Sequence, residues 1–271
     1  MGACLEKKAL RDEVVGWGTT LEQRVSEQVA QLERLGRLKG FFSPQVADVI
    51  VTTGGEDMLR THRGEVVVVF LDLRGFTAFT DSNEPEDVMS VLGEYHRTLG
   101  RLVHEHEGTI ERFAGDGIMI FFNDPIKLPN PVANAVRMSL AMQRAFAPMR
   151  TEWRRRGFVL DLGIGIAHGH ATLGAIGFEG RWDYACIGGV TNLAARLCAE
   201  AGGGQILTNA RTLARIEDTM RLDTEETALD FTEDAPGAHG EALTQSESLG
   251  EVKLKGLTEP VAVYNITGVK A

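Results

Sequence analysis

Residues 66–71 read Val-Val-Val-Val-Phe-Leu, an unbroken apolar run with a carboxylate, Asp72, directly behind it. β-Branched residues in succession lose rotamer freedom in a helix and suit a pleated strand. A run that does not alternate with polar residues predicts a strand buried in the interior of a sheet. Whatever this chain folds into has to be built around that strand and has to leave Asp72 at its end.

The segments that follow set the order of elements around it. Pro85 opens a helix to about Glu107, which Gly108 ends. Thr109–Phe113 and Ile118–Phe122 are two strands around the tight turn Gly115-Asp116-Gly117. A helix from about Pro131 to Met149 comes next. Phe158–Ala167 is then a strand, and Ala171–Ile176 pairs back on it after a turn at His168-Gly169-His170. Strand, helix, hairpin, helix and strand in this order predict an α+β fold with a ferredoxin-like core, βαββαβ with additional C-terminal strands.

The flanks read differently. Leu21, Val25, Gln28, Leu32, Leu35, Lys39 and Phe42 recur in steps of four and three. This predicts an N-terminal helix or short parallel coiled coil within residues 1–44. Ser43-Pro44 opens a short helix through Val51, and 45–63 is a linker to the core domain at 64–271. Residues 217–251 are rich in Asp and Glu around Pro236-Gly237 and read as an acidic loop insertion.

With 271 residues, 43% of them hydrophobic, the chain can bury the core of one good-sized domain. A formal charge of −10 argues against binding nucleic acid or an anionic membrane face. The three cysteines, Cys4, Cys186 and Cys198, have no metal-ligand spacing and read as free thiols in a reducing compartment. No apolar run is long enough for a membrane span, so a soluble cytoplasmic protein is the expectation. His104, His106, His168 and His170 lack zinc spacing and read as solvated or capping.

Three segments carry chemistry. In Asp72-Leu73-Arg74-Gly75-Phe76-Thr77 a strand delivers a carboxylate to its end. The glycine turn behind it can cradle phosphate oxygens with backbone N–H groups. Gly115-Asp116-Gly117 is by itself an ordinary turn, but in a ferredoxin-like core its hairpin borders the first strand and brings Asp116 to Asp72. Two carboxylates beside a phosphate-binding turn suit two-metal phosphoryl chemistry. Third, Asn192 and Arg196 are spaced i, i+4 in a segment predicted as a helix after Ile187-Gly188-Gly189, so an amide and a guanidinium share one face.

In this order and at these distances the three segments resemble the catalytic domain of class III adenylyl and guanylyl cyclases, from about Gly64 to the C-terminus. The resemblance implies two divalent cations per site, Mg²⁺ or Mn²⁺, on Asp72, Leu73 and Asp116. It implies phosphate binding by Gly75, Phe76 and Thr77 and by Lys253 or Lys255. Asn192 then positions the ribose and Arg196 stabilises the transition state. It further implies a head-to-tail homodimer with ATP or GTP as substrate at sites shared between two chains. The N-terminal helix is a route by which an upstream sensor domain or a regulator would act.

The base-reading positions depart from the family pattern. Arg112 stands four residues before Asp116, where adenylyl cyclases carry lysine and guanylyl cyclases glutamate. Ala185 stands seven before Asn192, where Asp, Thr, Cys or Ser is usual. Arg112 offers only donors, which suit the ring nitrogens of adenine better than guanine's N1–H and N2–H₂. ATP is therefore the expected substrate, with a guanylate or low-selectivity cyclase and an inactive nucleotide-binding module as alternatives. Gly54-Gly55-Glu56-Asp57-Met58 superficially resembles a diguanylate cyclase signature, but no flanking strands make its hairpin.

Overall fold

The computed structural model describes residues 60–178, 181–218 and 244–269, together with Trp17. The heptad stretch, the short helix after Pro44, the linker to residue 59 and residues 219–243 of the acidic loop lie outside the described residues. The chain divides into two units, Met1–Asp48 and Val49–Ala271, and the described residues apart from Trp17 belong to the second.

The apolar run lies within strand β1 (His62–Arg74). β1 pairs antiparallel with β3 (Gly117–Phe122) on one side and β4 (Asp161–Phe178) on the other. β2 (Thr109–Ala114) completes the hairpin with β3. Beyond β4 come β6 (Ile206–Asn209), β8 (Val261–Val269) and β7 (Thr244–Val252), while β5 (Arg181–Ile187) also pairs with β4. The order β2-β3-β1-β4 is that of the expected ferredoxin-like core, and β5 to β8 are the additional strands. Four helices connect them: α1 (Phe76–Ser82), α2 (Pro85–Glu105), α3 (Pro131–Arg155) and α4 (Gly189–Glu200). Residues 210–218 are also helical. Among the described residues no helix is long and apolar enough to cross a membrane.

β1 is covered on both faces. Val67, Val69, Leu71 and Leu73 join one core with Val91, Tyr95 and Leu99 of α2 and Val136, Phe146 and Trp153 of α3. The alternate residues Val66 and Val68 are just as buried and face the layer that holds α4. On β4 the same alternation puts Leu162, Ile164 and Ile166 in the α2–α3 core and Gly163, Gly165 and Gly169 under α4. These glycines let helix backbone lie directly on strand backbone. A Cβ at Gly165 would stand 2.2 Å from the Cys198 nitrogen and 2.4 Å from the Ala194 carbonyl oxygen.

Two expectations are corrected. The strand at Phe158–Ala167 does not turn at His168-Gly169-His170, and Ala171–Ile176 does not pair back on it. β4 runs straight through to Phe178, with His168 opposite Val67 and His170 opposite Glu65. Gly169 is a packing glycine: Val190 at the start of α4 sits 3.4 Å from the place of its missing Cβ. The strand that pairs back is β5. Residues 244–251 of the expected acidic loop form most of β7, and 217–218 end a helix. β7 lies at the sheet edge with most side chains in solvent, so its composition reads like a loop's.

The glycine contact gives a stability prediction. Gly165→Ala should cost about 1–3 kcal/mol, since overpacking against backbone atoms cannot be relieved by a side-chain rotation. Chemical denaturation should show a lower midpoint at unchanged slope.

Candidate active site

The end of β1 and the tip of the β2–β3 hairpin meet as the register requires, with Leu71 opposite Ile118. Asp116 Oδ2 accepts the Leu73 backbone N–H at 2.9 Å, which fixes the second carboxylate beside the first. Burial, and then the charge of Asp116, push the Asp72 carboxyl up to about 6. Arg74 opposes this, its Nη2 donating to Asp72 Oδ2 at 2.7 Å. The Leu73 side chain is buried, so only its backbone faces this corner. Beneath the hairpin, the half-buried His96 ring packs 4.7 Å from the Phe113 ring, and burial lowers its pKa. The hydroxyl of fully buried Tyr95 and His96 Nε2 have no hydrogen-bond partner among the described residues.

Gly75 turns the chain out of β1 with φ of 85°, and a Cβ there would strike the Val159 carbonyl oxygen at 2.6 Å. Phe76 and Thr77 start α1, where the first N–H groups have no partner within the helix. Among the described residues no group of three or more His, Cys, Asp or Glu side chains is placed to hold a metal. Two carboxylates and a backbone carbonyl are what Mg²⁺ takes from a protein when substrate phosphates complete its shell. The donor set fits that cation and not a closed protein cage.

On α4, Asn192 and Arg196 are both exposed on one face, while Ala194 and Leu197 are buried. Thr191 Oγ1 donates to the Cys186 carbonyl at 3.0 Å and ties the start of the helix to β5. The Arg196 guanidinium lies beside Gly256, 3.8 Å from where a Cβ would be. Lys253 and Lys255 flank buried Leu254, so both project to the solvent side of the same turn. The structure thus brings Arg196 to the lysine turn.

The third group joins β2 and β5. Ala185, opposite Gly174 of β4, is half-buried. A β-bulge between Ile110 and Arg112 disturbs the alternation of β2. The Arg112 side chain is 64% exposed, whereas Glu111 beside it is only 5% exposed. Glu111 Oε1 accepts the Cys186 N–H at 3.3 Å, and Arg112 Nη2 stands 3.5 Å from Oε2. Burial raises the Glu111 pKa, with Arg112 opposing. Strict alternation sends the neighbours of Arg112 to the other face, so the strand pattern does not point to Glu111. An acid next to a predicted base-reading residue was the available signal. Cys186 and Cys198 are free and buried, and burial pushes their thiols up to about 11 and about 12.

A further polar cluster borders the β2–β5 group at Tyr184. Buried Asp124 accepts the Tyr184 hydroxyl and the His62 Nε2 proton, the latter at 3.0 Å. His168 is neither solvated nor capping: its ring is 9% exposed and lies 3.0 Å from Glu65. These two residues line a recess of about 210 Å³ with Asn123 and Arg215. Glu65 and Asp72 are roughly 23 Å apart along β1 at ~3.3 Å per residue.

A family model described as the adenylate and guanylate cyclase catalytic domain matches residues 59–234. Adenylate cyclase 1 of Rhizobium meliloti is 26% identical over 210 residues, which cover 76% of this chain and 28% of that protein. An uncharacterized Mycobacterium tuberculosis protein is 28% identical over 225 residues, 80% of this chain and 40% of its own length. The chain thus spans well under half the length of these relatives. Among solved structures, the adenylyl cyclase CyaB from P. aeruginosa is 29% identical with a TM-score of 0.66, covering 78% of this chain and 98% of that one. The guanylyl cyclase Cya2 is also 29% identical, with a TM-score of 0.61 and coverage of 77% and 94%. With the carboxylate pair, the α4 face and the ferredoxin-like order of strands in place, this chain belongs to the adenylate and guanylate cyclase catalytic domain family.

Proposed function

We propose that this chain is an adenylate cyclase, converting ATP to 3′,5′-cyclic AMP and pyrophosphate as a head-to-tail homodimer. The observation that carries the reading is the Asp72–Asp116 pair, held together by the Leu73 N–H bond at the end of β1. Each site would take Asp72, Leu73 and Asp116 from one protomer and Asn192, Arg196 and the lysine turn from its partner. Residues 1–44 would carry a regulatory input from a sensor or partner.

Asp72, Asp116 and the Leu73 carbonyl would hold two divalent cations, Mg²⁺ or Mn²⁺, which lower the pKa of the ribose 3′-hydroxyl and offset phosphate charge. The backbone N–H groups of Gly75, Phe76 and Thr77 donate to phosphate oxygens. Asn192 orients the ribose so that its 3′-oxygen lies in line with the α-phosphorus. A bond forms between them as the bond to the pyrophosphate oxygen breaks, and the 3′ proton leaves to solvent or to the departing pyrophosphate. Arg196 offsets the charge that grows on the α-phosphoryl oxygens, and Lys253 or Lys255 binds the polyphosphate. Arg112 donates to ring nitrogens of adenine, and Ala185 leaves its amino group to a backbone carbonyl.

Guanylate cyclase is a second reading favoured by one observation, the buried Glu111 carboxylate next to Arg112 and Cys186. A carboxylate is an acceptor for guanine's N1–H and N2–H₂. Assay of the purified chain with Mg²⁺ or Mn²⁺ and each of ATP, GTP, CTP and UTP, with products resolved by chromatography, separates the two. Cyclic AMP as the main product is expected. An inactive module has less support, since Asp72, Asp116 and Arg196 are all present.

Asp72→Ala and Asp116→Ala should each lower turnover by about 10³-fold or more while circular dichroism shows an intact fold. Near wild-type activity in either variant would defeat the metal assignment. A cation competes with a proton for Asp72, whose carboxyl is raised to about 6. Mn²⁺ affinity of the nucleotide-free chain should therefore be constant above that pH and fall as pH drops through it, measured by calorimetry.

Mixing Asp72→Ala with Arg196→Ala chains tests the shared sites. One of the two sites in a mixed dimer keeps every residue, so activity should reappear on mixing. If subunits exchange, as a tagged pull-down would show, and no activity returns, the sites are not shared.

A further inference from the structure

We propose that Arg74 is a built-in counter-cation of the metal site, which holds Asp72 in the metal-free chain, ties β1 to the end of α4, and is displaced when a divalent cation binds. The inference rests on the reading of Asp72 as a metal ligand.

The geometry is that of an occupied but exchangeable place. Asp72 and Arg74 are two apart on β1 and so point to the same face, the one that α4 covers. Arg74 Nη2 donates to Asp72 Oδ2 at 2.7 Å and lies 3.7 Å from Cys198 Sγ, while Nη1 donates to the Ala199 carbonyl at 3.3 Å. The guanidinium crosses above Gly163, where a Cβ would stand 2.9 Å from Nε and 3.1 Å from Nη2. A side chain at 163 would close that path, so the glycine opposite Asp72 makes room for the arginine.

The ion pair is also poorly completed. Strong arginine–carboxylate pairs use two parallel N–H bonds on two oxygens. Arg74 gives Asp72 one bond, and its buried Nε has no hydrogen-bond partner among the described residues. One guanidinium stands beside two adjacent carboxylates, Asp72 and the Asp116 that accepts the Leu73 N–H. A divalent cation brings twice the charge, and its bonds to oxygen, ~2.1 Å for Mg²⁺, are shorter than a hydrogen bond. It would repel a guanidinium bonded to the same oxygen. Displacement costs Arg74 little, because the Ala199 carbonyl, in the last turn of α4 where carbonyls lack helical partners, still accepts from it. α4 carries Asn192 and Arg196, so the tie connects metal loading to the position of that helix.

The direct test is a titration of the full chain, labelled with ¹⁵N-arginine, with MgCl₂ and no nucleotide. Arg74 is assigned from the resonance that Arg74→Met removes. Its Nε–Hε signal should move on titration and saturate with the same Kd as Mg²⁺ binding measured by calorimetry. Arg74→Met should bind Mn²⁺ at least about fivefold more tightly than the wild type and yet turn over more slowly, because α4 has lost its anchor. A purely structural role predicts unchanged or weaker Mn²⁺ binding in that variant. Mg²⁺ saturation with the Arg74 signal unmoved would overturn the proposal and leave the metal reading standing. No Mg²⁺ binding to the wild type would overturn both. Should Arg74→Met not fold, Arg74→Gln supplies the assignment, and the wild-type titration decides alone.

Discussion

Everything else in this domain depends on the burial of β1 from both sides. Its odd-numbered residues, Val67 to Leu73, are locked into the α2–α3 core, and its even-numbered ones are covered from the α4 side. Side chains alternate strictly along a strand, so that packing decides where the polar end of β1 points. Leu73 must go inward, and Asp72 and Arg74 must go to the α4 face. A slip of one residue would drive a carboxylate into the hydrophobic core, so the register of the apolar run specifies the position of the chemistry.

That placement has an energetic cost. Asp72 and Asp116 are close enough that burial and like charge raise the Asp72 carboxyl to about 6, against an ordinary value of 3.8. The metal-free folded chain therefore holds more protons than the unfolded chain between those two pH values. By linkage its stability falls as pH rises through that window, the reverse of a carboxylate whose ion pair outweighs its burial. Asp72 is partly exposed, which moderates the effect. The large β1–β4 pairing and the α2–α3 core surrounding Trp153 offset this cost.

The parts legible in the sequence were those written in one segment. The apolar run, the Asp-Gly turn, the proline-started helices and the i, i+4 pair on α4 each carry their own local signal. What was missed depends on neighbours in space. Gly169 looked like a turn glycine because the helix packed on it is twenty residues away in the chain. β7 looked like loop because an edge strand shows solvent on most of its side chains. His168 looked solvated because its partner Glu65 comes from β1. Locally Arg74 belongs to a glycine turn, and nothing near it in the chain shows that Ala199 and Asp72 share its guanidinium.

Glu111 illustrates the same point where it bears on substrate choice. Offsets from Asp116 and Asn192 select Arg112 and Ala185, and offsets assume an unbroken pleat. The bulge at Ile110–Arg112 breaks it, and a bulge places two successive side chains against one partner residue. A donor and an acceptor then stand side by side, Arg112 in solvent and Glu111 drawn in against the β5 backbone. Neither identity alone decides between adenine, with its ring acceptors and amino donor, and guanine, with adjacent donors. The Glu111–Cys186 bond bears on that choice: in the proposed site, while the carboxylate is engaged with β5, the guanidinium is the group left to meet a base. If the base displaces Cys186 from that oxygen, the same pair of residues presents an acceptor instead. If Arg112 and Glu111 meet the base as proposed, selectivity depends on whether β2 stays pinned to β5.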